Sequence, residues 1–208
     1  MHSLIAPTDG APIAALLLGA ILVVSLAGLM AAPTLIERCM LRPYWLLPRR
    51  QFATVLTSAF VHADLAHLLF NAFTFWAFGF ALERAIGSPR FLALYASGLL
   101  ASAAGTWFKH RGQPEYRTLG ASGAILAVLF ASIVYFPTQS IFILPIPVPI
   151  PAPLFAVGYL AYTVIAARQA RARVNHDAHL SGALVGIAFV ALTDAPALAH
   201  AWRQVTGG

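Results

Sequence analysis

The sequence predicts an all-α membrane protein, a bundle of six transmembrane helices in which a short central helix carries a serine. Three observations predict it. Hydrophobic residues make up 60% of the 208 residues and charged ones only 10%, against roughly 45–50% and about 25% in a soluble domain. Mean hydropathy is +0.78, and the apolar residues gather into six stretches separated by short polar or proline-rich breaks. His67, Asn71, Ser122 and His179 sit near the ends of their stretches, and polar side chains inside a span face protein or a water-filled recess rather than lipid.

The elements follow in order. Ala11 to Ala32 is continuously apolar and long enough to span. No Lys or Arg precedes it, and it exceeds the usual 7–15-residue core of a cleaved signal, so it reads as a retained first span. Residues 33–61 are a long connection with Arg38, Arg42, Arg49 and Arg50, three prolines and the Tyr44-Trp45 pair. Tyr and Trp favour the membrane interface, so the spacing predicts an ordered interfacial loop with short helices. Phe60 to Ile86 is the second span, opening with His62, Asp64, His67 and Asn71 and closing with Glu83 and Arg84. Gly87-Ser88-Pro89 breaks it. Phe91 to Phe108 is the third span, with Ser97, Gly98, Ser102 and Gly105 as a small-residue face for close packing.

Lys109 to Thr118 is a polar loop, and Gly120 to Phe136 the fourth span, short for a crossing at about 17 residues. Such a helix would sit centrally, with Ser122 at the floor of a recess. Pro137 to Pro153 alternates Pro145, Pro147, Pro149, Pro151 and Pro153 with apolar residues, which excludes a helix and predicts a rigid, extended, polyproline-like connector at the interface. Leu154 to Ala167 is the fifth span, Arg168 to Asp177 a basic loop, and Ala178 to Thr193 the sixth span. Asp194 to Gly208 is a short amphipathic tail. The whole, residues 1–208, reads as one membrane domain with a core over about 50–193 and a first span over 11–32 before it.

The formal charge of +6 would suggest nucleic acid in a soluble protein. Here the arginines lie in loops between spans, so the partners implied are the lipid bilayer and membrane proteins, with no nucleic acid. The single cysteine, Cys39, excludes an internal disulfide and a cysteine-based zinc cluster.

The chemistry gathers around Gly120-Ala121-Ser122-Gly123. Glycines let another backbone approach, and a helix N-terminus offers unpaired N–H groups to developing negative charge, as a nucleophile forming an oxyanion requires. Alone, the motif also fits a packing turn with a capping serine. His179, Gly182 and Gly186 are spaced i, i+3, i+7 on one face of the sixth span. If the fourth span packs on that face, His179 reaches Ser122 as general base. His67 and Asn71, spaced i, i+4, share a face and can donate to an oxyanion; they also fit plain interhelical hydrogen bonding. Asp177 lies on a different helical face from His179, so the spacing predicts a dyad rather than a triad. Even-numbered spans all start on the same side of a membrane, so His67, Ser122 and His179 share one leaflet and a similar depth.

With His62-Ala63-Asp64-Leu65-Ala66-His67-Leu68-Leu69-Phe70-Asn71, Gly120-Ala121-Ser122-Gly123 and Ala178-His179-Leu180-Ser181-Gly182 through Gly186, the chain resembles the rhomboid intramembrane serine proteases of bacterial type with a six-span core. The resemblance implies Ser122 as nucleophile, His179 as general base, and His67 and Asn71 as oxyanion-hole side chains. It implies Gly120, Gly123, Gly182 and Gly186 as close-packing supports and Glu83 as a structural hydrogen-bonding residue. It also implies a serine-type endopeptidase that cuts membrane-protein substrates in or beside a transmembrane helix, with no metal and no cofactor. The chain departs from the pattern in two places. Ala53 and Thr54 stand where many members have a Trp-Arg pair, and Leu126 stands where an aromatic residue often stacks on the histidine.

Loop charge and resemblance disagree on orientation. All Lys and Arg but Arg84, Arg90 and Arg203 fall on the side of the site, which by the positive-inside rule faces the cytoplasm. The resemblance implies a multi-pass protein of a bacterial inner membrane with its site open to the extracytoplasmic side, and the expectation follows the resemblance. Three other functions compete. A non-catalytic rhomboid-like client binder is disfavoured by the presence of both Ser122 and His179. A small proton or ion transporter is disfavoured by the lack of an inverted repeat and of intramembrane carboxylate pairs. A zinc protease using His62, His67, His176 and His179 is disfavoured by the lack of H-E-x-x-H.

Overall fold

The computed structural model describes residues 10–143, 146–168 and 174–207. Helix α1 (Pro12–Met30) is followed by short helices α2 (Pro33–Cys39), α3 (Pro43–Leu46) and α4 (Thr54–Thr57) and a 3-10 turn over Ser58–Phe60. The long helices α5 (Leu65–Ile86) and α6 (Ser88–His110) come next, then α7 (Ser122–Tyr135). Strands β1 (Ser140–Ile143) and β2 (Ile146–Pro151) precede α8 (Ala152–Ala166), α9 (His176–Thr193) and α10 (Ala195–Thr206). Among the described residues four helices, α1, α5, α6 and α9, are long and apolar enough to cross a membrane, and α7 and α8 are shorter apolar helices. The chain is an all-α membrane bundle apart from the hairpin. The short helices α2, α3 and α4 are those the interfacial connection predicts.

Helix α7 is the axis. Every residue from Gly123 through Val134 is buried, the pattern of a helix wrapped on all sides. At 14 residues it is about 21 Å long, well short of a bilayer's hydrocarbon core. Glycines and small residues set how closely its neighbours approach. A Cβ on Gly182 of α9 would run into the carbonyl of Gly123, and one on Gly186 into that of Ala127. A Cβ on Gly98 of α6 would strike Ala127, and one on Gly123 would strike Ser102. Two helices therefore press their backbones against α7, and the i, i+3, i+7 face read from the sequence is the face that does so.

Helix α1 is tied to α5 by Glu83, which is fully buried. Its carboxylate accepts the N–H of Ile13 (3.1 Å) and of Ala14 (2.6 Å), and the Ser88 hydroxyl donates to it at 2.6 Å. Pro12 at the first turn has no N–H to satisfy. The open N-terminus of α1 is thus capped by a negative charge from another helix, where the helix dipole favours one.

Three expectations are corrected. The second span starts at Leu65 rather than Phe60, because Asp64 in extended conformation caps it by accepting the His67 N–H at 2.7 Å. The proline-rich connector forms an antiparallel hairpin, with Ser140 opposite Pro151, Ile141 opposite Ile150 and Phe142 opposite Pro149. Prolines at every second position fall on one edge of β2, and Val148 and Ile150 between them keep N–H groups for β1. Pro145 lies outside the described residues, as do Arg171 and Arg173 of the basic loop. Ile141 joins the apolar cluster of Leu126, Leu129 and Phe130, filling space beside the short α7. The third span starts at Ser88, three residues before Phe91, because Pro89 is tolerated in a first helical turn. The tail is a helix whose cap, Asp194, is held by the Tyr135 hydroxyl at 2.9 Å.

Candidate active site

Ser122 is the first residue of α7, just past Gly120, whose φ of +111° only glycine adopts without strain. The Gly120 N–H is tied to the Ser58 carbonyl at 2.8 Å, which anchors the turn to the 3-10 segment. The first N–H groups of α7 have no acceptor within the helix and face developing negative charge well.

His179 lies one turn into α9, on the face that meets α7. Its Nε2 is 2.7 Å from Ser122 Oγ, and its Nδ1 is 3.0 Å from the Tyr159 hydroxyl of α8. If Nδ1 carries the ring hydrogen and donates to the Tyr159 oxygen, Nε2 is bare and accepts from the serine, the arrangement general-base chemistry needs. Tyr159 was not legible as a site residue from the sequence, where it is one aromatic among many in the fifth span. Its ring packs against Phe155 at 5.6 Å and Phe130 at 5.8 Å. It supplies from another helix a hydrogen-bond partner for the histidine, a different contact from the stacking ring that Leu126 does not provide. Asp177 does not approach this pair. It accepts from His110 Nε2 at 3.0 Å and lies 3.9 Å from Lys109, joining the end of α6 to the start of α9.

His67 and Asn71 lie one turn apart on α5 and line the same cavity as Ser122 and His179, of about 890 Å³. The His67 ring lies close to Gly120, since a Cβ there would be 2.9 Å from Cε1 and 3.0 Å from Nε2. One N–H of Asn71 Nδ2 donates to the His67 carbonyl at 2.9 Å. Phe73 of α5, Phe142 of the hairpin and Phe155 of α8 line the same cavity and make much of its wall apolar. The four predicted site residues are therefore brought to one recess.

His62 does not lie on α5. It sits in the extended segment before it, fully buried, with Nδ1 2.8 Å from Ser25 Oγ of α1 and its ring 4.8 Å from His67, edge to face. Burial, aided by the neighbouring His67 and opposed by Asp64, holds it down at about 4, so it is neutral at pH 7. Among the described residues no three His, Cys, Asp or Glu side chains converge as metal ligands.

Residues 49–195 match the Rhomboid domain family. RHOMBOID-like protein 12, mitochondrial, of Arabidopsis thaliana is 29% identical over 150 residues, covering 64% of this chain and 44% of that protein. Presenilin-associated rhomboid-like protein A, mitochondrial, of Danio rerio is 32% identical over 135 residues, 64% of this chain and 35% of that protein. Rhomboid protease GluP of Bacillus subtilis is 39% identical over 87 residues, 41% of this chain and 16% of that protein. The chain spans less than half the length of these curated relatives.

Proposed function

This chain belongs to the rhomboid family, and we propose that it is an intramembrane serine endopeptidase that cuts membrane-protein substrates in or beside a transmembrane helix. The observation that carries the reading is the 2.7 Å contact between Ser122 Oγ and His179 Nε2 in the wall of a largely apolar cavity. Ser122 Oγ attacks the scissile carbonyl while its proton passes to His179 Nε2. The negative oxygen of the tetrahedral intermediate is met by the Ser122 N–H and by the side chains of His67 and Asn71. The imidazolium protonates the departing amine, and water, activated by the same ring, releases the acyl group. A helical peptide bond is shielded by its own hydrogen bonds, so the substrate must unwind at the cut, which small or helix-breaking residues there would ease.

The test is cleavage of a transmembrane-helix substrate by the reconstituted protein, comparing the native chain with Ser122→Ala and His179→Ala. Both variants lose cleavage; cleavage that survives in Ser122→Ala overturns the assignment.

The site opens to the extracytoplasmic side in this reading, in a bacterial cell membrane, although two of the relatives above carry mitochondrial names. The basic excess on that side is partly engaged on the protein itself, which weakens the opposing charge count. Arg42 pairs with Glu37 at 2.8 Å, Arg49 lies 3.7 Å over Trp45 and Arg111 lies 5.0 Å over Trp107. Lys109→Cys labelled by an impermeant reagent only from the cytoplasm would reverse the orientation.

A further inference from the structure

We propose that His62 is a positioning residue that holds the Gly120–Ala121 peptide in one orientation beside Ser122, acting from a proton order set by Ser25 of the first long helix. The inference rests on the protease reading for its kinetic consequence, but the proton order itself does not.

Three contacts fix that order. The Ser25 hydroxyl donates its single hydrogen to the Phe60 carbonyl at 2.9 Å. Toward His62 Nδ1, at 2.8 Å, the same oxygen can then only accept, so Nδ1 carries the ring hydrogen. A neutral imidazole with its hydrogen on Nδ1 presents a bare lone pair at Nε2, and that nitrogen faces the Ala121 N–H at 3.5 Å. Ser25 and His62 are both fully buried, so water does not compete for these groups. The depressed basicity of the ring keeps it neutral at pH 7.

At 3.5 Å the last contact is long, and its weight lies in what it forbids. A trans peptide points its C=O and N–H in opposite directions. Flipping the Gly120–Ala121 peptide would aim the Gly120 carbonyl oxygen at the bare Nε2, acceptor against acceptor. Gly120 lacks the Cβ that would hold its backbone angles by sterics, and its N–H is already given to Ser58. His62 thus selects between two peptide orientations at the residue pair preceding the nucleophile. Its ring also backs the His67 ring, which lies against the same glycine. One buried histidine therefore touches both the nucleophile's turn and an oxyanion donor, and it carries to them the position of α1.

Two substitutions separate this role from plain bracing. Asn places its amide nitrogen near the position of Nδ1, and Gln places its amide oxygen near that of Nε2. His62→Asn keeps the Ser25 contact and loses the acceptor for Ala121. His62→Gln keeps that acceptor and loses the Ser25 contact. We expect kcat on a transmembrane-helix substrate to fall about tenfold or more in His62→Asn, with KM within about twofold, and to stay within about threefold in His62→Gln. Equal losses in both, a larger loss in His62→Gln, or no loss in either overturns the proposal. Two measurements on the protein in micelles stand apart from activity. Nitrogen NMR of labelled histidine is expected to show His62 neutral with its hydrogen on Nδ1; a hydrogen on Nε2 overturns the proposal even if both variants misfold. Hydrogen exchange at the Ala121 amide is expected to be slow in the native chain and in His62→Gln and faster in His62→Asn; equal exchange in all three overturns it. A native chain that cleaves nothing would refute the protease reading while leaving these two results to decide the role of His62.

Discussion

Replacing Tyr159 with Phe removes one oxygen and leaves the rest of the ring, so it isolates the Tyr159–His179 hydrogen bond. Without that oxygen, His179 Nδ1, 3.0 Å away, loses its acceptor, while the remaining ring stays packed on Phe155 and Phe130. Two losses follow. The imidazolium formed when Ser122 gives up its proton has one N–H unpaired, which costs about 1–3 kcal/mol. The neutral ring is also free to carry its hydrogen on Nε2, where it cannot accept from Ser122. An aspartate-to-asparagine change that enforces the wrong tautomer in soluble serine proteases lowers kcat by about 10⁴, and a neutral phenol should matter less than a carboxylate. The transition-state term alone gives a fall of about tenfold to a hundredfold in kcat. KM should hold, because no substrate contact is removed, and the melting temperature should hold, because the ring stacking remains. The assay is cleavage of a transmembrane-helix substrate in proteoliposomes over a range of substrate density, with thermal unfolding in parallel. A Tyr159→Phe protein with kcat within twofold of the native chain would refute the claim that Tyr159 orients His179. A loss of kcat accompanied by an equal loss of stability would refute it too.

Gly182→Ala places a Cβ against the Gly123 carbonyl and should cost several kcal/mol or prevent folding, whereas Gly158→Ala, inside α8 with open space at its Cα, should cost nothing and stabilise by up to about 1 kcal/mol; thermal unfolding of the pair in micelles checks both. Glu83→Gln keeps one acceptor oxygen for α1 and loses the charge, so unfolding should be easier by about 1–3 kcal/mol, and an unchanged melting temperature would show that α1 does not depend on this cap. Stability should fall as pH drops from about 6.5 toward 4. An unfolded chain binds a proton on an ordinary histidine in that window, while folded His62 refuses it until about 4, so the contribution is full above the window and lost through it, by at most about 3 kcal/mol. Melting at pH 7.5 and 4.5 measures this, and His62→Gln should lack that part of the slope.

What the sequence made legible was whatever depends on period and size. The face of His179, Gly182 and Gly186 can be read because a helix repeats every 3.6 residues and because glycine is small whatever its neighbours are. The same holds for the short helix of Ser122 and for the convergence of His67, Asn71 and His179 on one cavity, which needs only a count of crossings. What stayed hidden depends on partners distant in sequence. Tyr159 has no spacing relation to His179 and sits in a helix whose other aromatics simply pack or face outward. The hairpin hid behind its prolines, because alternating prolines fit an isolated extended chain as well as one edge of a strand pair, and only the partner Ser140–Ile143 separates the two.

His62 shows the limit most sharply. Five residues before His67, it invites the expectation of another residue on the helix of the second span. Asp64 ends that helix first, because its carboxylate satisfies the His67 N–H, and this leaves His62 in extended chain facing α1. A cap two residues away thus decides whether the histidine points along a helix or across to Ser25 and Ala121. Through these contacts the turn before Ser122 is linked to a helix some 100 residues earlier in the chain. In a bundle whose backbones touch through glycine, the side chains that set the active site need not stand near it in sequence, and buried proton order is the physical means by which a distant hydroxyl reaches it.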